Sequence, residues 1–93
     1  MQESINLWLT DDEILQILAT RIQEFRLMRN ITQAKLAEEL EISKLTVKKI
    51  EQGQGMRLET FIRVVRYFNQ LDKLDALFKF DDISIKELYM SKQ

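Results

Sequence analysis

Carboxylate pairs are the side chains with the clearest chemical potential in this sequence. Asp11 with Asp12, and Asp81 with Asp82, place side by side the oxygen ligands that hard cations prefer. Neither pair has the glycine turn and spaced oxygen ligands of a calcium loop, and both lie where helices are expected to begin. We therefore predict neither a metal site nor a cofactor.

Nucleophilic and redox chemistry has little support, because the 93 residues include no cysteine and no histidine. Disulfides, thiolate nucleophiles, imidazole bases and the common zinc sites are excluded. The length supports one domain, and 45% hydrophobic with 31% charged residues is typical of a soluble globular protein. There is no apolar run of the roughly 20 residues that span a membrane and no secretory signal at the amino terminus. We expect a cytoplasmic protein that is not an enzyme.

Basic side chains are concentrated in one short segment, although the net charge of the chain is −1. Residues 43–66 contain six basic and two acidic residues, whereas residues 1–13 contain four acidic residues and no basic one. Screening limits the reach of each charge to about 10 Å, so a local patch is enough to attract phosphates. The segment indicates nucleic-acid binding, and an ordinary solvated helix face is the alternative.

Helices are expected to position these basic side chains, because residues that break helices are rare in this chain. It has no proline, and its two glycines lie together at 53 and 55. Thr10 and Glu13 form a capping-box pattern, which predicts a helix that begins near residue 11. Asn30 tolerates a left-handed turn and is expected to end that helix. The inward positions follow from spacings of three and four, and they are Ile14, Ile17, Leu18, Ile22, Phe25 and Met28.

Four further helices follow in the same way. Thr32 and Ser43 predict caps for short helices at about 33–40 and 44–52. Apolar spacing predicts a fourth helix with Leu58, Phe61, Ile62, Val65 and Phe68 inward, and a fifth with Leu71, Leu74, Leu77 and Phe78 inward. A last short helix is predicted near 84–91 from Ser84 and Glu87. Trp8 is expected to cover the core, with a partner contact as the alternative.

The segment 33–52 predicts a helix-turn-helix. Two short helices joined by three residues pack only where the contact positions are small or apolar, and here these are Leu36, Ala37, Leu40, Ile42, Val47 and Ile50. The outward face of the second helix then carries Lys44, Leu45, Lys48 and Lys49, in the position that enters a major groove.

The segment from about 18 to 77 resembles the Cro and phage-repressor class of helix-turn-helix proteins, the XRE family. The resemblance rests on Gln33 at the first position of the second helix and on a recognition helix with Thr46, Val47, Ile50, Glu51 and Gly53. It implies a buried ion pair between Arg26 and Glu51, which we interpret as structural. Two departures are Glu41, where the family usually has glycine, and the missing proline after the recognition helix.

Roles for the outward residues follow from this placement. Lys44 and Lys49 are expected to reach guanine O6 and N7 or a phosphate, and Leu45 a thymine methyl. Thr46 is assigned to a base edge or a phosphate, and Lys48 to a phosphate. The remaining assignments are Gln33, by resemblance, to the DNA backbone or one base, Arg57 to a phosphate, and Thr32 and Gln54 as weaker phosphate contacts.

The sequence thus predicts an all-α, five-helix, lambda-repressor-like domain over residues 11–80, with an extension at 1–10 and a short carboxy-terminal helix or tail at 81–93.

The resemblance implies a bacterial regulator that binds double-stranded DNA as a homodimer on a palindromic operator, at the nucleoid when bound. We expect a repressor, with residues 71–80 as the first choice for the dimer surface. The tail also resembles HipB-like antitoxins, which bind a HipA-type kinase toxin. The alternative function is a protein-interaction module that does not bind DNA.

Overall fold

The computed structural model describes residues 4–80 of the chain. These residues form five α-helices and no β-strand. The helices are α1 (Asp11–Met28), α2 (Gln33–Leu40), α3 (Lys44–Glu51), α4 (Leu58–Tyr67) and α5 (Leu71–Ala76). The all-α, five-helix fold class predicted from the sequence is therefore confirmed, while the helix predicted near 84–91 and the Asp81 and Asp82 pair lie outside the described residues.

Side-chain caps begin the first three helices where the sequence predicts them. At α1, the Glu13 amide donates to Thr10 Oγ1 at 3.1 Å and the Thr10 amide donates to Glu13 Oε1 at 2.9 Å, which completes the capping box. The bond from the Thr10 backbone lowers the pKa of Glu13, and the bond with the Thr10 side chain lowers it further. Thr32 and Ser43 accept hydrogen bonds at the starts of α2 and α3.

Left-handed residues end the same three helices. Asn30 follows α1 with φ 58°, and Glu41 follows α2 with φ 58° as well. Gly53 follows α3 with φ 81°, and the Gly53 and Gln54 amides close a Schellman motif on the carbonyls of Ile50 and Lys49. A Cβ at Gly53 would lie 2.5 Å from Gln16 Oε1, so this glycine also permits the close approach of the turn to α1.

The core lies where α4 closes over the first three helices. Its buried side chains come from all four elements, and they are Ile22, Leu36, Ala37, Leu40, Val47, Ile50, Val64 and Phe68. Phe25 contacts Phe68 with ring centroids 5.3 Å apart. This packing fixes α2 and α3 on the body of the domain and leaves α5 at its edge, where none of its residues is buried.

Several predicted inward positions are wrong. Met28 is 82% exposed, because the buried side of the last turn of α1 is occupied by Arg26, which lies on the opposite side of the helix. Leu58 is exposed because it is the first residue of α4 and lies at the edge of the domain. Helix α5 ends at Ala76, so Leu77 and Phe78 are outside it and exposed.

Trp8 does not cover the core, contrary to the sequence expectation. It lies in a short turn before α1 and its surface is 89% exposed. The Trp8 amide donates to Asn6 Oδ1 at 3.0 Å, and the Leu9 amide donates to the Asn6 carbonyl at 3.3 Å. These bonds define the turn, and the indole of Trp8 lies in solvent. In the part of the chain that the structure describes, none of the helices meets the length and apolarity needed to cross a bilayer.

Candidate nucleic-acid interface

Helices α2 and α3 form one packed unit. Leu36, Ala37 and Leu40 of α2 are buried, and so are Val47 and Ile50 of α3. The small side chain of Ala37 allows the two helices to cross closely, and Ile42 in the turn packs against the same cluster. The inward positions predicted for the helix-turn-helix are therefore confirmed, and α3 has one defined outward face.

That outward face carries four exposed side chains: Lys44, Leu45, Lys48 and Lys49. They lie one turn apart in pairs, opposite the buried side of α3. Leu45 is 59% exposed between lysines, although burial of an apolar side chain lowers the free energy of the folded protein. Thr46 is only half-buried, and its hydroxyl lies 2.8 Å from Ser43 Oγ. The structure thus presents the three lysines and Leu45 together and places Thr46 at the edge of that face.

The remaining predicted contacts flank α3. Thr32 is exposed at the start of α2, where its hydroxyl accepts from the Lys35 amide at 3.0 Å. Gln54 is exposed after the glycine turn and its Nε2 donates to Gln52 Oε1 at 3.0 Å. Arg57 is exposed at the N-cap position of α4, where it makes no side-chain cap. Arg57 thus lies at a helix start, close along the chain to the end of α3.

A buried ion pair fixes the orientation of α3 relative to α1. Arg26 Nε lies 2.7 Å from Glu51 Oε2, and Arg26 Nη2 donates to Glu51 Oε1 at 3.1 Å. The two side chains are 9% and 3% exposed. Arg26 Nη1 also donates to the Ile31 carbonyl at 2.9 Å, which ties the pair to the loop before α2. The sequence resemblance implies a buried ion pair here, and the structure shows that the pairing is bidentate.

Gln33 joins this network, which sequence reasoning missed. Its Nε2 donates to Glu51 Oε1 at 3.1 Å, so the first residue of α2 is tied to the last residue of α3. The family resemblance pairs Glu51 with Arg26 and assigns Gln33 to DNA, so it did not signal this bond across eighteen positions. Gln33 is half-buried, and its amide is oriented by Glu51 whatever else it contacts.

Arg63 supports the unit from α4, and it was also missed. Its Nη1 donates to the Leu40 carbonyl at 3.0 Å, which satisfies a carbonyl at the end of α2.

Lys35 lies on an acidic part of α2. The hydrogen bond with Glu39 raises the pKa of Lys35, and the charge of Glu38 raises it further. The positive charge of α2 is thus offset locally, whereas that of α3 is presented outward.

Comparison with known proteins agrees with this geometry. The sequence profile described as helix-turn-helix matches residues 22–75, which are more than half of the chain. The chain belongs to the helix-turn-helix family. It is also 32% identical over 71 residues to a protein of Archaeoglobus fulgidus described as an uncharacterized HTH-type transcriptional regulator, with 75% of this chain and 97% of that protein covered. No solved structure matches the chain.

Family membership confirms the coarser part of the sequence prediction. This is a helix-turn-helix protein of the XRE type, a class of DNA-binding proteins that are typically not enzymes. The resemblance to HipB-like antitoxins rests largely on the tail, and residues 81–93 lie outside the described part of the chain. Neither the matched family nor the archaeal relative is described as an antitoxin.

Proposed function

We propose that this protein is a transcriptional repressor that binds a palindromic operator as a homodimer, with α3 in the major groove. The proposal depends on one observation: α3 carries an exposed row of side chains, while its opposite side is buried in the core. The row consists of Lys44, Leu45, Lys48 and Lys49. The archaeal relative, which is described as a transcriptional regulator, supports the same class of function.

Specific contacts follow from positions on this row. Lys44 and Lys49 read guanine O6 and N7, and Leu45 contacts a thymine methyl. Lys48 and Arg57 bind phosphates and set the position of the domain on the duplex. Thr32, Gln33, Thr46 and Gln54 add contacts at the edge of the interface. Gln33 acts with its amide held by Glu51, so it contributes to the angle at which α3 enters the groove.

A homodimer supplies the second half-site. One recognition helix contacts only a few base pairs, and dimers of this class bind half-sites about 34 Å apart. Residues 71–80 are the proposed dimer surface, since Leu77, Phe78 and Phe80 are exposed there and Phe78 is 92% exposed. The antitoxin role remains a prediction from the tail, to be checked by copurification with a HipA-type kinase.

The first experiment measures operator affinity in a gel-shift series after selection of a binding site from random duplexes. Lys49→Ala is expected to weaken binding by about 1–3 kcal/mol and to relax the preference at one base pair. Arg57→Ala is expected to weaken binding to all duplexes alike and to reduce the dependence of log affinity on log salt by about one unit.

Arg66→Ala is the control of equal charge change, because Arg66 is an exposed basic residue on α4, outside both the proposed DNA interface and the proposed dimer surface. It should leave base preference unchanged. Equal effects of Lys49→Ala and Arg66→Ala would place the DNA-facing surface elsewhere. Absence of salt-dependent duplex binding by the folded protein would favour the interaction-module function instead.

A further inference from the structure

Leu45 is the apolar residue in the exposed row of α3. It is 59% exposed, and it belongs neither to the core cluster nor to the side chains packed against that cluster. Exposure alone assigns a leucine no role, because single apolar side chains are common on protein surfaces. Its position does so: Leu45 is the second residue of α3, and the amino-terminal residues of a recognition helix are the ones that reach base edges.

The surroundings of Leu45 favour a polyanion as its partner. Lys44 precedes it, and Lys48 and Lys49 lie one turn farther along the same face. None of these three lysines forms an ion pair with another described residue, whereas every described lysine outside α3 has an acidic partner. A ligand for this face must therefore bring negative charge to both sides of one apolar contact point. The major groove of DNA has this form, because phosphates line both of its edges.

A leucine side chain has no hydrogen-bond donor or acceptor, so it distinguishes bases by apolar contact alone. The apolar group in the major groove is the C5-methyl group that thymine carries. Cytosine methylated at C5 places the same group at the same position and differs from thymine at C4, where an amino donor replaces a carbonyl acceptor. The hydroxyl of Thr46, the next residue, is paired with Ser43 Oγ at 2.8 Å. A contact made by Leu45 therefore treats the two methylated bases alike.

We propose that Leu45 reads the C5-methyl group of a pyrimidine whichever base carries it, so that operator affinity responds to methylation of cytosine as well as to thymine. The proposal rests on the DNA binding of the proposed function and deepens it, because the ligand of Leu45 is then the methyl group and not the base. The protein would thereby respond to a covalent mark on its operator without a change of base sequence.

The test uses the full-length protein and an operator selected from random duplexes, in gel-shift titrations at one salt concentration. Each thymine is replaced by uracil, which removes the methyl group and keeps both the base pair and the C4 carbonyl. At one position of each half-site the dissociation constant is expected to rise about fourfold, the factor that corresponds to burial of one methyl group.

A second series distinguishes the two bases that carry the methyl group. At the position found with uracil, thymine is replaced by cytosine and by 5-methylcytosine, each paired with guanine. The duplex with 5-methylcytosine is expected to bind about fourfold more tightly than the duplex with cytosine. Equal affinity of these two duplexes would show that the contact depends on the C4 carbonyl of thymine and would overturn the proposal.

Three variants assign the effect to Leu45. Leu45→Ala withdraws the side chain and is expected to bind the methylated and unmethylated duplexes of each pair equally. Leu45→Met keeps an apolar side chain of similar size and should retain the difference. Leu27→Ala is the matched control, because Leu27 is 58% exposed on α1, and it should also retain the difference. Circular dichroism verifies that each variant folds.

Failure of this proposal is distinguishable from failure of the proposed function. If the folded protein binds no duplex, both are overturned. If it binds its operator but no uracil substitution weakens binding, or if Leu45→Ala keeps the full difference within each pair, the methyl-reading proposal alone is overturned.

Discussion

The α2 and α3 unit and the segment after α4 differ in how their apolar residues are used. In the helix-turn-helix, Leu36 and Val47 are among the most deeply buried side chains of the domain. In α5 and the residues up to Phe80, no side chain is buried, and Phe78 is held at φ 60° with its ring in solvent. Similar apolar spacing therefore produces a core in one region and an exposed surface in the other.

This difference separates two tasks of the molecule. The first region must hold α3 at a fixed angle, so Arg26 and Glu51 are buried and hydrogen-bonded to each other, and half-buried Gln33 donates to the same carboxylate. The second region has no buried side chain among its described residues, and its exposed apolar residues are the proposed dimer surface. Stability should accordingly depend strongly on the first region and weakly on the second.

Glu51→Ala should have the largest effect on stability. It leaves the Arg26 guanidinium buried without its carboxylate and removes the acceptor of Gln33. The free energy of unfolding is expected to fall by about 3–5 kcal/mol in urea titrations. Glu38→Ala is the control, because Glu38 is exposed and lies 4.0 Å from Lys35, and it should cost less than about 1 kcal/mol. Comparable losses for the two variants would contradict the structural role given to the ion pair.

A pair of leucine truncations compares the two regions directly. Leu36→Ala creates a cavity at a residue that is 1% exposed, and it should cost about 2–5 kcal/mol of unfolding free energy. Leu77→Ala, at an exposed position, should change the stability of the monomer by about 0.5 kcal/mol or less. Thermal unfolding at a concentration where the protein is monomeric measures both. A large loss at Leu77 would mean that the segment after α5 belongs to the core.

The smallest expected effect is a gain at the turn between α2 and α3. Glu41 has φ 58° and ψ 43°, a left-handed conformation that costs a non-glycine residue about 1 kcal/mol. Glu41→Gly should raise the unfolding free energy by up to about 1 kcal/mol. Asn30→Gly at φ 58° is the control and should gain less, because asparagine tolerates this region better. Destabilisation by Glu41→Gly would show that its side chain contributes more than the strain costs.

Local signals predicted most of the fold. The starts of α1, α2 and α3 follow from Thr10, Thr32 and Ser43, because capping depends on residues three positions apart. The outward lysines of α3 followed from the helical period in the same way. The bond from Gln33 to Glu51 and the support of α2 by Arg63 were not predicted, because they join residues that are distant in sequence and, unlike the Arg26 and Glu51 pair, are not implied by the family resemblance.

The sequence by itself determined the order of the five helices, the caps of α1, α2 and α3 and the lysine-bearing face of α3, since each depends on neighbours within one or two turns. The tertiary structure decided which apolar residues are covered. Met28, Leu58 and Trp8 have the chemistry of core residues, yet they are exposed because no described element of the chain lies over them. Burial is a property of the whole packing arrangement, so periodicity along one helix does not determine it.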